Sequence, residues 1–360
     1  MSPAAERLVH LQALRAVAAL MVAFHHAQAE AATLAARLGL TFVPTDIIPW
    51  MAGVDIFFVI SGFVMVHASH GLFGAPGAAR LFLARRVARI VPLYWAATTL
   101  FLLVMLAVPA LVNTGGIDAG AVAASYLFWP HARSDGLIQP VFSLGWTLNY
   151  EMFFYVLFAV ALALPLRRAV AAVTLVLVAL VVVMAMPWAQ DAPVPLRFWG
   201  YPIVLEFAFG MGLALARHEG IRLTGAFRLL LVAAAITTLA LDGYARAQTG
   251  FEALFYHGLP AAALVAAATL GSETPDRPAG RIEAWASRLG DASYALYLLH
   301  PFALRAVREV FVRAGGMLPG AVVPIGFLVV ALVAASLVAL VAWRAFEVPV
   351  TRRARRLLRA

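Results

Sequence analysis

Three residues of the first apolar stretch, LQALRAVAALMVAFHHAQAE (residues 11–30), bring chemistry into a segment that would otherwise be inert: Arg15, His25 and His26. An imidazole serves as a general base or a transient acyl carrier near neutral pH, and a guanidinium stabilises developing negative charge or holds carboxylate and phosphate. On a helix, Arg15 and His26 share one face, about three turns and roughly 16 Å apart, whereas His25 is rotated about 100° away. The two histidines are therefore not equivalent, and only His26 lines the surface that Arg15 lines.

A charge at mid-bilayer costs roughly 2.5–3.5 kcal/mol, so every such group needs a partner or a function. Asp55 opens the second apolar stretch, GVDIFFVISGFVMV, at about the depth where His26 ends the first. It can hold the imidazole in one tautomer, or form an ion pair that fixes the two-helix hairpin. Arg85, Arg86 and Arg89 in RRVARIVPLYW fall on one side of a helical turn at the cytoplasmic surface. There they serve either topology and lipid phosphate or, through their forked donors, a clamp for a soluble anionic substrate. Glu151, in SLGWTLNYEMFFYVLF, lies among Trp146, Tyr150 and Tyr155. Buried alone it would protonate, so an arginine is expected beside it, from Arg15 or the Arg85 group. His300 in GDASYALYLLHPF precedes Pro301, whose missing N–H frees a carbonyl one turn back. Glu206 is a further ionisable group at membrane depth, with His67, Arg344 and Glu347 nearer the boundaries.

The elements that must position these groups are membrane spans. The 360 residues are 63% hydrophobic and 12% charged, against roughly 25% charged in soluble domains. Apolar runs of about 20 residues match the bilayer core. The fold class is all-α and polytopic, with about ten transmembrane helices near 8–28, 49–69, 87–108, 141–164, 169–187, 199–217, 226–243, 254–271, 291–311 and 321–345. No lysine is present, which excludes a Walker lysine or a Schiff base, and no cysteine, which excludes disulfides and thiolate sites.

The net charge of +9 follows topology. With the N-terminus inside, the inner segments hold eighteen arginines (Arg7, Arg80, Arg85, Arg86, Arg89, Arg167, Arg168, Arg217, Arg222, Arg228, Arg277, Arg281, Arg288, Arg352, Arg353, Arg355, Arg356 and Arg359). The outer segments hold five (Arg37, Arg133, Arg197, Arg246 and Arg313), a positive-inside asymmetry that puts both termini in the cytoplasm and argues against nucleic acid as a partner. A cleaved signal peptide ending at Ala27 to Ala29 is the rival reading of the first stretch, but Arg15 and two histidines make a poor apolar region for one. Two loops exceed hairpin length, the outer 109–140 and the inner 272–290. His131 and Asp135 in the former, spaced H-x-x-x-D, are read as coincidental.

Taken together these segments resemble the acyltransferase-3 family of integral membrane acyltransferases. Its first-helix signature, Arg or Lys, ten residues, then His, is met by Arg15 and His26. GVDIFFVISGF, RRVARIVPLYW, GWTLNYEMFFY and GDASYALYLLHPF follow in the family's order. The resemblance runs from about 8 to 348 as one membrane domain, with 349–360 a basic cytoplasmic tail, and is nearest to exopolysaccharide O-acetyltransferases of rhizobial type. Where the family commonly has two glutamates, Tyr150 precedes Glu151, so one carboxylate is carried over.

The resemblance implies transfer of an acyl group, typically acetyl, from cytoplasmic acyl-CoA to a hydroxyl of a glycan or lipid-linked saccharide, in a bacterial inner membrane. His26 would act as general base or carry the acyl group, with Asp55 orienting it. Arg15 would line the pantetheine route or stabilise charge on the thioester. Arg85, Arg86 and Arg89 would hold the CoA phosphates, with Glu151 orienting one of them. Trp146, Tyr150, Tyr155 and His300 would complete the pocket. Acyl-CoA is a co-substrate; no permanently bound cofactor or metal is implied. A transporter using the same buried groups as a proton or substrate path is the competing class, but no pair of Pro- or Gly-broken helices occupies corresponding halves.

Overall fold

The computed structural model describes residues 8–108, 117–245, 250–271, 280–314 and 320–358. Arg7, Arg246, Arg277 and Arg359 of the charge asymmetry, and loop portions 109–116 and 272–279, lie outside the described residues. Within them the chain is helical, with only two isolated β-bridges, Ala132 to Ile138 and Leu223 to Gly271.

The helices are α1 (Val9–Arg37), α2 (Ala52–Ala68), α3 (Ala78–Ala107), α4 (Ala119–Tyr126), α5 (Trp146–Ala161), α6 (Leu166–Met184), α7 (Val194–Trp199), α8 (Leu205–His218), α9 (Gly225–Ala245), α10 (Phe251–Ala253), α11 (Leu259–Thr269), α12 (Arg281–Asp291), α13 (Ser293–Ala314), α14 (Val323–Ala342) and α15 (Val348–Leu357). They form two compact units. One comprises Met1–Ile60 and Gly220–Ala345, the other Ser61–Glu219 and Phe346–Ala360, so one boundary falls inside α2.

Six helical segments are long and apolar enough to cross a membrane: Ala78–Ala107, Ser143–Ala161, Leu166–Met184, Gly225–Asp242, Phe251–Thr269 and Val323–Leu357. The remaining expected spans differ for identifiable reasons. α2 is apolar but only 17 residues long. The span expected at 199–217 is interrupted: a 3-10 turn at Pro202–Val204 separates α7 from α8, which has 14 residues. α1 and α13, with 29 and 22 residues, are long enough but carry ionisable side chains along their lengths. Exposed Leu175, Leu229, Val329 and Val341 give the apolar helices a surface suited to acyl chains rather than water.

In the first unit, α1 buries a stripe of small residues, among them Ala16, Ala19, Ala23, Ala27 and Ala31, which permits close approach of neighbouring helices. Ala27, Ala31 and Leu34 pack with Leu304 of α13 and with Val323, Phe327 and Ala331 of α14. At Gly290, the end of α12, an added Cβ would stand 2.0 Å from the backbone oxygen of Gln12, so only glycine permits this approach to α1. Contacts between α1 and the α12–α13 segment rise together in number, Gln12 with Gly290, Arg15 with Ser293, His26 with His300 and Glu30 with Arg308. The two helices therefore run parallel.

The second unit is held by aromatic packing. Phe154 of α5 stacks on Phe207 of α8 with centroids 4.4 Å apart, and Phe158 packs against Phe82 of α3 at 5.1 Å. The basic C-terminal residues, expected as a tail from 349, are helical to Leu357; α15 continues α14 through a π-turn at Trp343–Glu347 and packs on α3.

Candidate functional site

His26 lies on the buried side of α1. Its Nδ1 sits 2.9 Å from the Val22 carbonyl oxygen, the preceding helical turn, and 3.3 Å from Nε2 of His300. A carbonyl oxygen only accepts, so Nδ1 carries the hydrogen and Nε2 keeps its lone pair. An imidazole in this tautomer presents Nε2 to accept a proton or attack a carbonyl carbon. His300 is fully buried on α13. His25 meets the His26 ring edge-on at 5.3 Å and lies near Asp46, so its surroundings differ, as the 100° helical offset requires.

Arg15, on the His26 face of α1, donates to Ser293 Oγ at 2.9 Å and to Gln12 Oε1 at 3.3 Å. Asp55 is buried in the first unit, in the opening turns of α2.

In the second unit α3 begins at Ala78, nine residues before the expected start, so Arg85, Arg86 and Arg89 project from within a helix. The carboxyl group of Glu151 is surrounded by the Ser61 and Tyr155 hydroxyls and by the Arg89 and Arg86 guanidinium groups. The arginine partner expected for Glu151 thus comes from the Arg85 group. Arg86 stands over the Phe82 ring, 5.4 Å from its centroid, and its buried Nε has no hydrogen-bond partner among the described residues. Arg355 of α15 adds a further cation close to Arg85 and Arg89.

Tyr150 donates to the Phe198 carbonyl oxygen at 2.7 Å, stacks on the Phe198 ring at 4.2 Å and receives the edge of Trp146 at 6.0 Å. His131 and Asp135 are not a dyad: His131 lies 3.8 Å from Asp118, and Asp135 pairs with Arg133 at 2.7 Å.

Sequence reading missed several groups. Glu30, one turn beyond His26, receives Arg308 and Arg305 of α13, while Glu309 receives Arg308 and Arg37. Asp242 of α9 pairs with His257 at 2.7 Å, where a π-turn at Leu254–Gly258 interrupts the helix. Ser61 and Ser293 sit inside the motifs quoted above but drew no notice, because a serine in an apolar helix also satisfies itself on its own backbone. Glu30 and Arg308 could have been suspected from their charge at membrane depth; their pairing across 278 positions could not.

The acyltransferase domain family model matches residues 8–344, a stretch that draws on both units. The exopolysaccharide production protein ExoZ of Rhizobium meliloti (strain 1021) is 34% identical over 310 residues, covering 84% of this chain and 90% of that protein. No solved structure gives a significant match. With Arg15 and His26 on one face of α1 and the family match running through nearly the whole chain, the protein belongs to the acyltransferase-3 family of membrane acyltransferases.

Proposed function

We propose that the protein is an O-acetyltransferase that moves acetyl, or another short acyl group, from cytoplasmic acyl-CoA to a hydroxyl of an exopolysaccharide or its lipid-linked precursor. The observation that carries this reading is the state of His26: its Nδ1–H is fixed by the Val22 carbonyl, leaving Nε2 basic within a helix that also holds Arg15. Nε2 removes the proton of the acceptor hydroxyl as its oxygen bonds to the thioester carbonyl carbon. The C–S bond breaks, and the thiolate takes the proton from the imidazolium, giving an ester and free CoA. Arg15 stabilises the negative charge that develops on the carbonyl oxygen. Arg85, Arg86 and Arg89 bind the phosphates of the donor, and Glu151 orients Arg86 and Arg89. The relative's name, which refers to exopolysaccharide production, supports the acceptor class.

The topology we assign is ten crossings of a bacterial inner membrane with both termini cytoplasmic. The parallel course of α1 and α13 supports it, because the first and ninth spans of such a chain both run outward. On this reading the 8–348 segment is one membrane domain.

The test is transfer itself. Purified protein in lipid receives radiolabelled acetyl-CoA and candidate polymer or lipid-linked acceptors; label is expected in the glycan. His26→Ala should lower transfer by about 10²–10⁴-fold, the usual weight of a general base, while remaining folded. Normal transfer by a folded His26→Ala variant would overturn the reading.

A further inference from the structure

His300 is fully buried and its ring has three polar neighbours, each of which fixes a proton. Nδ1 lies 3.0 Å from the Leu296 carbonyl oxygen, and the Tyr297 carbonyl is a second backbone acceptor for the same ring. Residue 301, which in a regular helix would offer its N–H to the Tyr297 carbonyl, is a proline without one. Two acceptors and no donor on that side require the hydrogen of a neutral His300 to reside on Nδ1. Its Nε2 is then a lone pair, and the group facing it at 3.3 Å is the Nδ1–H of His26.

We infer that His300 is a positioning residue for the transfer step, resting on the assignment of His26 as base. The Leu296 and Tyr297 carbonyls set the tautomer of His300, and His300 together with Val22 sets the tautomer of His26 and holds its ring. When His26 Nε2 takes the acceptor's proton, the resulting imidazolium keeps Nδ1–H bonded to a carbonyl and a ring nitrogen. The chain Leu296–His300–His26 thus performs with neutral groups what a carboxylate performs behind a catalytic histidine elsewhere.

The experiment compares His300→Phe with His300→Gln, whose amide oxygen reaches the position of Nε2 and accepts the same hydrogen. Three readouts are taken: kcat, KM for acetyl-CoA, and the ring-nitrogen chemical shifts of ¹⁵N-histidine-labelled protein, with His26 assigned as the resonance missing in His26→Gln. His300→Phe should lower kcat by about 10–100-fold, part of the contribution of a general base, with KM unchanged. The His26 nitrogen shifts should move as its Nδ1–H loses one of its two acceptors, and His300→Gln should recover most of both. Equal kcat and an unchanged His26 signal in His300→Phe would overturn the inference. So would His300→Gln failing as badly as His300→Phe while the His26 signal stays in the Nδ1–H form. The nitrogen shifts are read without acceptor or donor, so they test the pairing even if the wild-type protein transfers no acetyl group.

Discussion

Two groups of arginines occupy the molecule, one in each unit, and their surroundings differ. On α1 and α13, Arg37, Arg305 and Arg308 share two carboxylates, Glu30 and Glu309, and Arg308 alone donates through Nε and both terminal nitrogens. On α3 and α15, Arg85, Arg86, Arg89 and Arg355 have one carboxyl group beside them among the described residues, Glu151, and Arg86 Nε is unmatched. A buried cation with all three guanidinium nitrogens bonded to carboxylates is compensated in place, and its role is to lock helices. A set with three cations in excess holds together at a Coulombic cost that an incoming polyanion removes. Compensation therefore separates the structural arginines from those we assign to the donor's phosphates.

The strongest way to break this contrast is Arg308→Met, which strands Glu30 and Glu309 with fewer partners. Loss of one member of a buried pair costs about 3–5 kcal/mol, so thermal unfolding should occur at clearly lower temperature, with transfer per folded molecule retained. A variant as stable as wild type would place Arg308 outside the locking set. Next comes the pair Arg86→Gln and Arg89→Gln. Each charged hydrogen bond lost is worth about 1.5–3 kcal/mol, so KM for acetyl-CoA should rise by at least about tenfold per arginine, with stability held or improved. Unchanged KM would reduce these arginines to topology. The smallest effect is expected from His25→Phe, which lies outside the His26 hydrogen-bond chain; transfer rates should stay within about twofold. A loss comparable to that of His26→Ala would mean that the two histidines act together.

Sequence patterning made the helical membrane class, the shared face of Arg15 and His26 and the arginine partnership of Glu151 legible, because all three follow from helical period and the need to compensate buried charge. Helix ends were less legible. α1 runs to Arg37 and α3 starts at Ala78, since hydropathy marks where the apolar run stops rather than where backbone hydrogen bonding stops. The expected 199–217 span was broken by Pro202, within an apolar run that hydropathy reads as continuous. The partner of His26 was a matter of which helix lies alongside α1. His300 was noticed for the proline after it, but its register against α1 depends on Gly290 and on the alanine stripe, neither of which announces a partner.

That register gives GDASYALYLLHPF a unity that its letters do not suggest. Gly290 admits the backbone of Gln12, Ser293 receives Arg15, and His300 meets His26, all from one strip laid along a parallel helix. The strip works as a gauge, in which the spacing between Ser293 and His300 measures out the spacing between the cation and the base on α1. Inserting one residue between them would turn His300 by about 100° relative to Ser293 and separate the two settings without removing any functional side chain.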